Sequence, residues 1–156
     1  MNVKRLSITE FAKHYGACAD GRKWALDHCA NMAAVWDAAR PDWLIWIATR
    51  DGVLDDKTLR LFACFCARQN WHLLTDERSR NAVEVAERFA NGLASDDELA
   101  AARDAARAAR DAAWAAAREA SVAASVAWAA WEAARDAQSV WLRTNVPNPF
   151  LSTEHC

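Results

Sequence analysis

The sequence predicts an all-α protein: a bundle of about six to eight helices with a long alanine-rich C-terminal helix or helical hairpin. Three observations carry that expectation. Residues 95–143 hold 21 Ala and neither Gly nor Pro, and alanine has the best helix propensity because it loses no side-chain entropy. The chain has only four Gly and three Pro, as short connections between helices require. No sustained alternation of β-branched residues and no Asn-Gly hairpin between apolar runs marks a strand.

Local signals place the elements in order. Ser7 and Glu10 fit a capping box, and Gly16 can supply the left-handed residue that ends the first helix. Asp20 can cap a second helix carrying Trp24, Leu26 and Cys29, and Asn31 a third in which Met32, Val35 and Trp36 are apolar. Pro41 suits a first helical turn. The run Trp43-Leu44-Ile45-Trp46-Ile47 behind it is too apolar to face water on any side, which puts this helix at the centre of the core. Asp51-Gly52 is a turn, and Asp55 or Asp56 can cap the next helix, with Leu59, Phe62, Cys66 (or Ala63) and Leu73 at roughly helical intervals. Thr75 starts another, which turns Ala82, Val83, Val85, Ala86 and Phe89 inward and ends at Asn91-Gly92. Ser95 and Glu98 form a second capping box at the head of the alanine-rich segment.

As one helix, residues 96–143 would extend ~72 Å at ~1.5 Å per residue. A compact domain of this size has a radius of gyration of only ~15 Å. A polar stripe stays in phase along the segment through Arg103, Arg107, Arg110, Asp111, Trp114, Arg118, Ser121, Ser125, Glu132, Asp136, Ser139 and Arg143. The weakest stretch is Ser121 to Ser125, so a break or bend near 119–125 is expected. Trp128, Trp131 and Leu142 share one side and are expected to dock on the body, or to form a dimer seam if the helix projects. The organisation is then a single helical domain over 1–143, with a Trp-rich body (1–94) and the alanine-rich helix or hairpin (95–143). A tail over 144–156 follows, in which Pro147 and Pro149 stop the helix while Phe150 and Leu151 pin the segment to the body.

Composition narrows the function classes. The charge is −2 at pH 7, and splitting the chain at residue 94 gives 13 basic against 12 acidic residues, then 6 against 9. Neither half has the cationic excess needed to grip phosphates, so nucleic-acid binding is disfavoured. No apolar run reaches the ~18–20 residues that span a bilayer. Lys4 and Arg5 precede no apolar segment of a signal peptide, and five cysteines at irregular spacing read as reduced thiols of a cytoplasmic protein.

Signals for chemistry are few. His14, Cys18, His28 and Cys29 lie within 16 residues but lack the tight ligand pairs of a zinc site, and Cys64-x-Cys66 sits mid-helix with its side chains pointing apart. No metal and no cofactor is expected. There is no nucleophile elbow and no glycine-rich phosphate loop, so no enzyme and no catalytic residue is expected either. Asp51, Asp55 and Asp56 surround a turn without the order of a calcium loop. They are assigned to capping first and to partner binding second.

The partner-binding surface that the sequence favours is the stripe Arg103, Arg107, Arg110, Trp114 and Arg118. Arg110, Trp114 and Arg118 are spaced i, i+4, i+8, so both guanidinium groups can reach the indole. Asp104 and Asp111 can each pair with Arg107. Trp and Arg are enriched at binding hot spots.

Pro41-Asp42-Trp43-Leu44-Ile45-Trp46 and the run from Asp76 into the alanine-rich segment resemble small alanine-rich bacterial immunity proteins of an Imm-5-like family, and also open reading frames carried by bacteria and phages. The resemblance covers roughly residues 40–118. It implies a helical, non-enzymatic protein that neutralises a toxin by binding it. Its phage-borne members suggest the neighbouring role of an inhibitor of a host defence complex, such as an anti-CRISPR protein. The expected partner is therefore a protein, either toxin or defence effector. The alternative is a structural protein that associates with itself as a homodimer.

Overall fold

The computed structural model describes residues 2–117 and 127–151, with side chains for all of these but 114–117 and 127–131. It is all-α: among the described residues there are eight α-helices, two short 3-10 turns and no strand. The chain packs as two compact units, Met1–Asp55 with Arg135–Cys156, and Asp56–Ala134. The packing therefore does not divide at residue 94, where the composition changes. Helices on either side of that point share one core, described below. No helix among the described residues is long and apolar enough to cross a membrane.

The first unit contains helices α1 (Ile8–Tyr15), α2 (Ala19–His28), α3 (Met32–Ala38) and α4 (Pro41–Ala48), with the end of α8 (Ala127–Asn145). The capping box of α1 is complete: Ser7 N–H donates to Glu10 Oε2 at 2.9 Å and Glu10 N–H to Ser7 Oγ at 3.3 Å. Gly16 ends the helix at φ +67°. Helix α2 is capped by Cys18, whose Sγ accepts from Gly21 N–H at 3.3 Å, rather than by Asp20. Asp20 already lies inside the first turn, whereas Cys18 has the extended backbone of a cap. Asn31 caps α3 through Ala34 N–H at 3.0 Å, and Pro41 opens α4.

Helix α4 departs from the expectation of burial on every side. Leu44, Ile47 and Ala48 are buried, but Trp43, Ile45 and Trp46 are only half-buried. Trp36 and Leu142 are fully buried. Ser139, assigned to the polar stripe, is buried as well, with its hydroxyl donating to the Asp136 carbonyl at 2.9 Å. Helix α8 continues through Asn145, past the expected start of the tail. Beyond it, Asn148 Nδ2 donates to the Ala33 carbonyl and to Asp37 Oδ1, each at 2.9 Å, and Phe150 packs against Phe11 and Trp36. Leu151 is exposed and pins nothing; Phe150 and Asn148 hold the segment instead.

Gly52 has φ +77°, and a Cβ built there would stand 3.1 Å from Val3 Cγ2. Gly52→Ala is therefore expected to destabilise the protein by about 1–2 kcal/mol or more, from left-handed strain plus displacement of a buried valine. A thermal melt unchanged from wild type would contradict this.

The second unit contains α5 (Asp56–Gln69), a 3-10 turn at Trp71–Leu73, α6 (Glu77–Ala90), α7 (Asp96–Ala117) and the start of α8. Helix α5 stops before Leu73, which is exposed in the turn, and its buried residues are Phe62 and Cys64 rather than Ala63 or Cys66. The core between α6 and α7 is Val85, Leu99 and Ala102, with Ala82, Ala86, Phe89 and Ala94 packed around it. Alanines at these positions let the two helices come close. Both bonds of the Ser95–Glu98 capping box are made, at 2.8 and 3.2 Å.

Asp76, not Thr75, caps α6: its Oδ1 accepts from Arg78 N–H at 2.9 Å and the Arg78 guanidinium adds two more bonds. Those bonds hold the Asp76 carboxyl down at about 2, from an ordinary value of 3.8. A depressed carboxyl contributes stability that is complete above its unfolded pKa and lost as pH falls through its folded one. Asp76→Asn keeps an acceptor at the cap and removes the titration. The melting-temperature gap between wild type and Asp76→Asn is expected to close as pH falls from 3.8 to about 2. A gap that stays constant over that window would contradict the assignment.

Candidate functional site

The stripe favoured by the sequence falls on α7. Arg103, Arg107 and Arg110 are exposed there, beside the face on which Leu99, Ala102 and Ala109 are buried. Arg107 pairs with Asp104 at 3.8 Å, as its i, i+3 spacing allows, but Asp111 is paired with Arg110 at 3.6 Å rather than with Arg107. Both pairs are long and solvated, worth at most a few tenths of a kcal/mol. Trp114 is on α7, with its side chain outside the described residues. Arg118, the expected break at 119–125 and the side chains of Trp128 and Trp131 also lie outside them. Arg103 additionally edges a groove of ≈ 660 Å³ between α5, α6 and α7, walled by Leu59, Ala63, Ala82 and Val83.

Asp51 and Asp55 belong to the first unit and Asp56 to the second, where it opens α5. The Asp51 carbonyl accepts a hydrogen bond from the Tyr15 hydroxyl. Among the described residues no three His, Cys, Asp or Glu side chains converge as a metal site would need. Cys18 is occupied as a cap, and His28 stacks on Trp24 at 5.7 Å. Burial pushes the thiols of Cys29, Cys64 and Cys66 up, Cys66 to about 11, so these three are poor nucleophiles at neutral pH.

A concavity with a volume of ≈ 590 Å³ lies within the first unit, between α1, α2, α3 and α4. That is within the ~300–1,000 Å³ typical of ligand cavities. Phe11, Met32, Val35 and Ile47 are its buried floor, and half-buried Trp24, Trp43 and Trp46 are its walls. Trp24 and Trp43 meet at 5.3 Å between ring centroids, tilted by 49°, while Trp46 stands edge-on to Phe11 at 6.3 Å. A Cβ at Gly21 would press on the capping sulfur of Cys18 at 3.2 Å but would meet Trp43 of α4 at an ordinary 3.5 Å.

Cations crown the aromatic walls. The Arg40 guanidinium sits 4.4 Å from the Trp43 ring and Arg50 4.8 Å from Trp46. Arg40 also holds Asp42 through two bonds of 2.7 and 2.6 Å. Burial alone would push the Asp42 carboxyl up, but those bonds and the N–H groups at the start of α4 bring it below its ordinary value. Three guanidinium groups (Arg22, Arg40, Arg135) line the cavity against one carboxylate, Asp42.

The sequence reading missed this site because its walls come from four helices whose convergence is not written in local periodicity. The usable signal was Arg40-Pro41-Asp42-Trp43: the proline fixes the helix start, so the arginine before it folds back over the indole two residues into α4. No protein-family model matches the chain, and no curated protein or solved structure is significantly similar to it.

Proposed function

We propose that this protein is a non-enzymatic antagonist that sequesters or sterically blocks a protein partner in the cytoplasm. A toxin or a component of a defence complex is the kind of target that the resemblance to immunity proteins suggests, and an anti-CRISPR role belongs to the same class. The observation that carries the reading is the half-exposed Trp24–Trp43–Trp46 wall with Arg40 and Arg50 over it. Partly exposed Trp and Arg on a rigid frame are the residues that dominate binding energy once a partner excludes water from them. The hydrogen-bonded caps of α1, α2 and α3 supply that rigidity. The exposed arginines of α7 are a second contact surface, for a partner of mixed charge.

The test is capture of a partner from lysates that express candidate toxins or defence effectors, run with three baits. Wild type is expected to retain one protein stoichiometrically. Trp43→Ala is expected to lose it, and the triple variant Arg103→Ala, Arg107→Ala, Arg110→Ala to weaken it. Retention by Trp43→Ala with loss by the triple variant would move the site to α7. Absence of any stoichiometric protein, with a dimeric mass by light scattering, would replace the antagonist reading by self-association.

A further inference from the structure

The cavity of the first unit is graded in chemistry from floor to mouth, and that gradient specifies what can fill it. Its floor is hydrocarbon and aromatic: Phe11, Met32, Val35 and Ile47 are each at most 5% exposed. Its mouth is cationic, with Arg22 and Arg40 both exposed. Arg40 is committed to Asp42 through two hydrogen bonds of 2.7 and 2.6 Å. Arg22 makes no ion pair with another described residue. Between floor and mouth stand the indoles of Trp24, Trp43 and Trp46, whose N–H groups donate to no acceptor among the described residues.

An occupant must therefore present an apolar, preferably flat, group to the floor and negative charge to the mouth. We infer that this cavity binds an aromatic side chain of the partner that is flanked in its chain by carboxylates, an acidic-aromatic peptide segment. The inference rests on the reading of the protein as a partner-binding antagonist. The cations sit at the rim and not on the floor, so the charge belongs on residues beside the ring. Arg22, exposed at the mouth beside the Arg40–Asp42 pair, gives the sign of that charge.

The experiment uses the full-length 15N-labelled protein and follows the indole N–H signals of Trp24, Trp43 and Trp46, assigned with single Trp→Phe variants. The probe is an N-acetylated, C-amidated pentapeptide Gly-Asp-Phe-Glu-Gly. Saturable shifts confined to these three indoles and their neighbours are expected. Replacing the acids of the peptide by Asn and Gln is expected to weaken binding about tenfold, and replacing its Phe by Ala to abolish it. Arg22→Ala in the protein, at an exposed position where folding is unaffected, is expected to weaken the acidic peptide about tenfold while leaving the neutral one unchanged.

Equal binding of acidic and neutral peptides, or shifts only at other indoles, would overturn the inference. Tighter binding of free N-acetylphenylalanine than of the pentapeptide would also overturn it, in favour of a free small aromatic acid. The two readings fail separately. Peptide binding without antagonism of any protein leaves the cavity assignment standing, whereas capture of a partner that ignores both Trp43→Ala and Arg22→Ala leaves only the antagonist.

Discussion

Trp36→Ala is expected to cost about 3–5 kcal/mol, the range for deleting a buried tryptophan and leaving most of its volume unfilled. Trp36 is 1% exposed and packs at 6.1 Å against Phe150, which in turn meets Phe11 at 5.7 Å. Its loss thus removes the contact that holds the post-helical segment as well as the centre of the core. Against a typical total of about 5–15 kcal/mol, this is enough to open the first unit. Amide hydrogen exchange reads the effect locally: protection should collapse in α1, α3 and α4. A loss below about 1 kcal/mol would show that the site refills by repacking.

Trp43→Ala is expected to lower affinity for the partner by about 2 kcal/mol or more, roughly thirtyfold, the signature of a hot spot. The substitution removes the surface shared with Trp24 at 5.3 Å and the seat of the Arg40 cation at 4.4 Å, while Asp42 still holds that guanidinium. Because Trp43 is only half-buried, its effect on stability should be smaller than that of Trp36. Trp43→Phe separates the roles: it keeps an aromatic wall and loses the N–H donor. An affinity for the partner unchanged in Trp43→Ala would place the interface elsewhere.

Much of the fold was legible because its determinants are local. Ser7–Glu10, Asn31, Pro41, Gly16 and Ser95–Glu98 act within one helical turn, and each occupies in the structure the position its chemistry suggests. The departures also have local causes. Cys18 caps α2 because the backbone there is extended and its sulfur can accept a weak hydrogen bond, although cysteine is not a residue one looks for at a cap. Leu73 keeps helical spacing from Leu59 in the sequence, yet α5 ends at Gln69, so periodicity alone carried the pattern one element too far. The cavity was illegible for a different reason. Trp24 and Trp43 read individually as apolar helix residues, and only tertiary packing leaves both half-exposed around a concave floor. Alanine-rich α7 drew attention by composition, while its arginines make only long, solvated pairs.

Binding by this protein is expected to disable its partner. The most direct measurement is titration of the captured partner's own activity with purified wild-type protein, at partner concentrations well above the dissociation constant. Activity is expected to fall linearly and to stop falling at a fixed stoichiometric ratio, with Trp43→Ala displacing the curve far to the right. A partner that remains fully active when saturated with this protein would contradict the claim.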